Sequence, residues 1–140
     1  MKQVILDTNF LMLPFTHKID IFTEIMRIMD EPYELCILES SVAELGSIIS
    51  TQSGKHRDAA KMAMQLADEK KIRILHEEKQ KSLYMNPNSK SLTVDDIIVN
   101  LANKGTIIAT QDKFLKERLL AKGIKTIILR GKHKLELRCS

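Results

Sequence analysis

Apolar positions along this 140-residue chain follow two alternating periods. Val4-Ile5-Leu6, Ile107-Ile108-Ala109 and Ile127-Ile128-Leu129 are continuous apolar runs, as expected of strands buried on both faces. Between such runs the spacing becomes helical. Over 19–29, apolar residues fall at Ile21, Phe22, Ile25, Met26 and Met29, and Pro32 stops the pattern. Over 55–70, Ala59, Met62, Ala63, Leu66 and Ala67 form one stripe, with Lys, Arg and Asp opposite it. The remaining elements follow from caps and breakers. Lys2–Leu6 is the first strand, and 10–17, which contains Pro14, reads as a loop after one helical turn. Residues 34–38 form the second strand. Ser40 or Ser41 can cap a helix carrying Glu44, in which Gly46 is tolerated. A polar break over 50–54 precedes the 55–70 helix, and 71–75 is the third strand. The segment 76–92 mixes charge with the turn signal Asn86-Pro87-Asn88-Ser89. Thr93 caps a helix over 94–104 that Gly105 ends. Thr106–Ala109 is the fourth strand, 113–122 a helix closed by Gly123, and 125–129 the fifth strand. Alternation of Leu135 and Leu137 lets the tail add a last edge strand.

Strands alternating with helices predict a three-layer α/β/α architecture with a central, mostly parallel five-stranded sheet and right-handed crossovers. No internal repeat, low-complexity tract or linker interrupts the pattern, so 1–140 reads as a single domain. Trp is absent and aromatics make up 4%, so Ile, Leu, Val, Met and Ala must build the core. No apolar run approaches the roughly 18 residues of a membrane span, and the N-terminus runs straight into a strand without a cleavage-site pattern. Cys36 and Cys139 fit no metal or redox spacing. The expectation is a cytoplasmic protein with reduced thiols.

Charge is unevenly spread. Residues 101–140 hold ten Lys and Arg against three acids, a net +7, which leaves −3 on residues 1–100 within an overall +4. A basic C-terminal part suits a polyanionic partner, although a solvated surface of mixed charge would read the same way.

The acids fall at four stations: Asp7 after the first strand, Glu44 in S-S-V-A-E-L, the pair Asp95-Asp96 in T-V-D-D-I-I, and Asp112 in I-I-A-T-Q-D. Read singly, each is as readily a helix cap or a solvated side chain as a ligand. Read together, all four sit at strand-to-helix junctions or in the first turns after them. In a parallel sheet these junctions share one edge, where open α/β folds bind ligands. Carboxylates gathered there repel one another, and a hard divalent cation relieves that repulsion. Helical phase separates the pair. Val94, Ile97, Ile98, Leu101 and Ala102 form an apolar stripe that Asp95 flanks, whereas Asp96 points nearly away from it.

The segments I-L-D-T-N-F-L, S-S-V-A-E-L, D-D-I-I-V-N-L-A and I-I-A-T-Q-D-K-F-L-K, in this order and spacing, resemble a PIN-domain nuclease over nearly the whole chain. Within that family the chain is similar to the branch that processes small-subunit ribosomal RNA, with Thr93-Val94 where Tyr-Ala is expected. The resemblance implies an acidic site of Asp7, Glu44, Asp95 and Asp112, supported by Thr8, Asn9, Asp96 and Thr110. It implies a Mg²⁺- or Mn²⁺-dependent endoribonuclease leaving 5′-phosphate and 3′-hydroxyl ends. Asp7, Asp95 and Asp112 would be the metal ligands, and Glu44 would hold a water or act as general base. Lys113, Lys116, Arg118, Arg130, Lys132 and Lys134 are candidates to grip the RNA backbone. His133, among them, has no nucleophile to pair with and reads as a surface histidine. Expected partners are RNA, ribosomal or its precursor, and a second copy of the chain, with Met26 and Met29 usable either at that interface or in the core. Three alternatives compete. A VapC-like toxin would share the chemistry and need an antitoxin partner. A scaffold binding RNA or protein would keep the fold with a silent site. A response-regulator-like domain would need a Lys after a late strand that is not convincingly present here.

Overall fold

The computed structural model describes residues 1–76 and 93–139; the turn expected at 86–89 lies outside them. The chain runs β1 (Lys2–Leu6), α1 (Thr8–Leu11), α2 (Leu13–Thr16), α3 (Ile21–Ile28), β2 (Tyr33–Leu38), α4 (Glu39–Thr51), α5 (Lys55–Glu69) and β3 (Arg73–Leu75). It continues with α6 (Val94–Leu101), β4 (Thr106–Ala109), α7 (Lys113–Ala121), β5 (Lys125–Arg130) and β6 (Lys134–Arg138). The sheet has the order β3-β2-β1-β4-β5-β6. The first five strands in that order are mutually parallel. The tail closes the sheet as a sixth, antiparallel edge strand, with Leu129 opposite Leu135 and Ile127 opposite Leu137.

Each central strand feeds two cores. Val4, Leu6, Ile107, Ala109 and Ile127 pack with α1 to α5 through Phe10, Leu11, Ile21, Ile25, Leu45, Ala60 and Ala63. Their neighbours Ile5, Cys36, Leu38 and Ile108 pack on the other face against Ile97 and Ile98 of α6 and Leu115 and Leu119 of α7. Apolar side chains are thus needed at successive positions, because helices cover both faces. No described helix is long and apolar enough to cross a membrane.

Element ends depart from the sequence pattern for local reasons. After the first turn of α1, Leu13–Thr16 forms a second short helix where the pattern predicts a loop; Pro14 sits in the first turn of α2, where a missing N–H costs no helical bond. Asp20 caps α3 by accepting from the Thr23 N–H at 3.1 Å. Strand β2 passes directly into α4, so Leu38 occupies the cap position without a side-chain bond, and Ser40 and Ser41 lie inside the first turn instead of capping it. Helix α6 stops at Leu101, short of 104. There Asn103 folds its own turn, its Oδ1 accepting from the Gly105 N–H at 2.7 Å, while Lys122 Nζ donates to the freed carbonyls of Val99 and Ala102. Thr93 does cap α6, in a reciprocal box with Asp96. Gly123, at φ +81°, closes α7: its N–H reaches the Leu120 carbonyl, and that of Ile124 reaches Leu119. This paired exit needs a left-handed residue at that position.

The topology fixes where a site can lie. From β1 the sheet grows one way through β2 and β3 and the other way through β4, β5 and β6. The connections therefore diverge at the carboxyl ends of β1 and β4, leaving a crevice between them.

Candidate functional site

Asp7 follows β1 at that crevice. Its N–H donates to the Ala109 carbonyl at 2.9 Å, extending the β1–β4 ladder by one bond. Its side chain is 7% exposed. Oδ1 accepts from the Thr8 N–H at 2.9 Å, which caps α1, and Oδ2 accepts from the Thr110 hydroxyl at 2.8 Å. Thr110, fully buried after β4, is itself fixed by the Asp112 N–H, which donates to its hydroxyl at 3.1 Å. Burial pushes the Asp7 carboxyl above its ordinary value; the Thr110 and Thr8 hydrogen bonds oppose this, and the charges of Glu44 and Asp112 add to it. The carboxylate is thus held in place by two donors and surrounded by like charge. Beside it, the Thr8 hydroxyl is buried without a hydrogen-bond partner among the described residues.

Asp95 lies half-buried in the first turn of α6. Burial raises its carboxyl, and the negative charges of Asp7 and Asp112 raise it further; Arg118 acts the other way. Asp112 caps α7, its Oδ1 accepting from the Leu115 N–H at 3.0 Å. That leaves Oδ2 outside the cap. Asp7, Asp95 and Asp112, which lie 88 and 105 residues from the first of them in sequence, therefore meet in one electrostatic neighbourhood. Glu44 reaches it from α4 through its effect on Asp7, and its side chain is exposed.

Asp96 is differently occupied. It accepts from the Thr93 N–H at 3.1 Å in the cap of α6 and pairs with Arg118 at 3.0 Å, and the Thr93 and Arg118 contacts hold its carboxyl below the ordinary value. Its charge is already satisfied within the protein.

The expected supporting and basic residues divide similarly. Thr8 and Thr110 adjoin Asp7 directly, whereas Asn9 is exposed one residue further along α1. Lys113 and Lys116 extend from the first turns of α7. Arg130, Lys132 and Lys134 belong to the β5–β6 hairpin, whose turn leaves β5 at the same carboxyl edge. Arg130 pairs with Glu136 at 3.1 Å, and Arg118 with Asp96, so these two cations are shared with internal partners. Gln111 was not singled out by sequence reasoning. Its Oε1 accepts from the Leu129 N–H at 3.0 Å and ties the β4 exit to β5 between Thr110 and Asp112. Its position inside A-T-Q-D was the available signal.

Among the described residues, no group of three His, Cys, Asp or Glu side chains is arranged to hold an ion as it stands. The chemistry of the donor set nonetheless fits a hard divalent cation. The donors are carboxylate oxygens, two of them partly or wholly buried and both raised by like-charged neighbours, so the edge has an unmet demand for positive charge that oxygen-preferring Mg²⁺ or Mn²⁺ suits.

Known proteins are similar to this chain in sequence or in fold. Ribonuclease VapC4 of Methanocaldococcus jannaschii is 29% identical over 139 residues, covering 98% of this chain and 97% of its own. The solved structure of the PIN domain endonuclease Utp24 is 26% identical, with a TM-score of 0.71 over 97% of this chain and 90% of that one. The structure of VapBC-1 from nontypeable Haemophilus influenzae, 14% identical, covers 89% of this chain and 96% of that one at a TM-score of 0.56 and speaks to the fold alone. A family model described as a PIN like domain matches residues 4–132. With Asp7 at the sheet's switch point and the later acids brought to it, this chain belongs to the PIN-like domain family.

Proposed function

We propose that this protein is a divalent-metal-dependent endoribonuclease that hydrolyses RNA phosphodiester bonds at the crevice between β1 and β4, acting in the cytoplasm on ribosomal RNA or its precursor. The observation that carries the reading is Asp7: a buried carboxylate, fixed by two hydrogen bonds, that shares its edge with the negative charges of Glu44, Asp95 and Asp112. A purely capping aspartate would not need burial among like charges. The names of the relatives add to it, since VapC4 is a ribonuclease and Utp24 an endonuclease.

In this reading Asp7, Asp95 and Asp112 would hold Mg²⁺ or Mn²⁺, and the ion would supply positive charge against the scissile phosphate and make water more acidic. Thr110 and the Thr8 N–H keep the Asp7 carboxylate from rotating away. Glu44, exposed at the rim, accepts the proton as water attacks. Water adds to phosphorus as the P–O3′ bond breaks, and the departing 3′-oxygen takes up a proton from solvent, giving a 5′-phosphate and a 3′-hydroxyl. Lys113, Lys116 and the hairpin cations Lys132 and Lys134 hold the RNA backbone, with affinity that falls as salt rises.

A toxin ribonuclease neutralised by an antitoxin is the second reading, favoured by the similarity to VapC4. Cleavage of structured ribosomal RNA fragments and of single-stranded RNAs with Mn²⁺, comparing wild type with Asp7→Asn, tests the activity. Absence of any Asp7-dependent cut across that panel would refute it. An antitoxin gene beside this one, whose product forms a complex with the protein and suppresses the cut, would select the toxin reading.

A further inference from the structure

Among the described residues Met1, Met26, Met62, Ile74 and Phe114 are large apolar side chains left exposed, and Phe114 is the aromatic one. It is 75% exposed, in the first turn of α7, while its neighbours Leu115 and Leu119 are fully buried. An isolated exposed leucine needs no explanation, but an aromatic ring presented almost whole to water is an unusual use of a residue type that makes up so little of this chain. Its surroundings give it a direction. Residues four apart on a helix share a face, so Phe114 stands one turn before Arg118. Arg118 reaches across to Asp96 at 3.0 Å and is felt by Asp95. Helical side chains also lean toward the helix N-terminus, here toward Asp112 and the carboxyl edge. Phe114 therefore stands on the rim of the acidic crevice, flanked in sequence by Lys113 and Lys116.

We infer that Phe114 is a stacking platform for a base of single-stranded RNA next to the cleaved bond. A ring beside lysines and a phosphate-directed acidic site has the composition of sequence-tolerant single-strand recognition: cations track the backbone while an aromatic face takes a base. This deepens the nuclease reading and rests on it for the identity of the strand. It also implies preference for unpaired segments, because a base inside a duplex cannot present its face to a side chain.

Binding is measured by fluorescence anisotropy with labelled oligoadenylate and oligouridylate, in an Asp7→Asn background that leaves the strand uncut. Base–aromatic stacking is worth ~1–3 kcal/mol per base, so Phe114→Ala weakens oligoadenylate binding by roughly 5- to 150-fold. Oligouridylate, with the smaller ring, loses less. Phe114→Tyr restores the affinity, and an oligonucleotide with one abasic site at the contacted position binds the Phe and Ala forms alike. Equal affinity of Phe114→Ala and its parent for both strands, with an unchanged melting temperature, overturns the platform and leaves the ring as a protein-docking residue. The nuclease reading fails separately: Phe114-dependent binding without Asp7-dependent cleavage by the otherwise wild-type protein keeps the platform and removes the nuclease.

Discussion

Glu24 and Asp7 are both acids at helix starts, yet their surroundings drive them in opposite directions. Glu24, on α3, accepts two bonds from Arg27 at 3.0 Å and one from the Leu135 N–H at 3.0 Å. These contacts lower its carboxyl and clip α3 to the edge strand β6. Asp7 has two neutral donors, no cationic partner among the described residues, and like charges around it, and burial raises it. Asp20 and Asp96 fall with Glu24, Asp95 with Asp7. Stability accounts for the first group, whose carboxylates are met on the spot by hydrogen-bond donors or a cation that outweigh the cost of burial. The second group works against the fold when no cation is present, and a fold tolerates such a cluster where function requires it.

The largest effect expected from this contrast is the loss of activity in Asp7→Asn. Removing a side chain that only orients a ligand typically costs ~10–100-fold, and removing Asp7 itself exceeds that in metal-supported cleavage. Metal-free Asp7→Asn melts above wild type at neutral pH, because a buried charge has gone while Oδ1 can still accept from Thr8. The same variant loses the stabilisation that saturating Mn²⁺ gives wild type, about 2.7 kcal/mol at a hundredfold excess over Kd. An Asp7→Asn protein that melts below wild type without metal would place Asp7 with Glu24, among the structural acids.

Thr110→Val comes next. It keeps the shape and removes the hydroxyl that donates to Asp7 and accepts from Asp112. The expected loss is ~10–100-fold in activity, recovered by Thr110→Ser. A Val form as active as wild type would mean that the Asp7 carboxylate needs no second anchor.

Adjacent residues then provide a within-pair test. Asp95→Asn abolishes most cleavage, whereas Asp96→Asn retains most of it. The latter loses one solvent-screened ion pair to Arg118, no more than about 1 kcal/mol of stability, since an amide oxygen can still accept from the Thr93 N–H. Equal loss in both, measured on the same RNA at saturating Mn²⁺, would erase the division between them.

That division was partly legible in the sequence. Helical phase alone turned Asp95 toward the apolar stripe and Asp96 away, and a capping motif placed Thr93 at the helix start. The strands were legible because doubly covered strands must be apolar at every position. What could not be read were features set by tertiary partners. The end of α6 depends on Lys122, twenty residues beyond the carbonyl of Ala102 that it caps. The exposure of Glu44 depends on how α4 leaves β2 without a linker. Gln111 gains its role only when β5 brings the Leu129 N–H beside it, and no periodicity announces a bond of that kind.

The smallest effects, and the cleanest view of the contrast, come from titrating metal-free protein. Asp7 and Asp95 have folded values above the ordinary 3.8, so the folded state binds their protons first as pH falls, and their contribution to stability rises on acidification. Glu24 lies below its ordinary 4.5, so its contribution is complete above that pH and disappears as pH falls through the folded value. Melting temperatures of wild type, Asp7→Asn and Glu24→Gln, taken from pH 7 to pH 3, separate the two. At pH 7 Asp7→Asn lies above wild type and Glu24→Gln slightly below it. Both differences shrink toward zero with acid, that of Asp7→Asn because wild type gains stability as Asp7 takes up its proton, that of Glu24→Gln because wild type loses the contacts of its carboxylate. Parallel curves, with either difference independent of pH, would mean that the substitution acts through packing and not through charge.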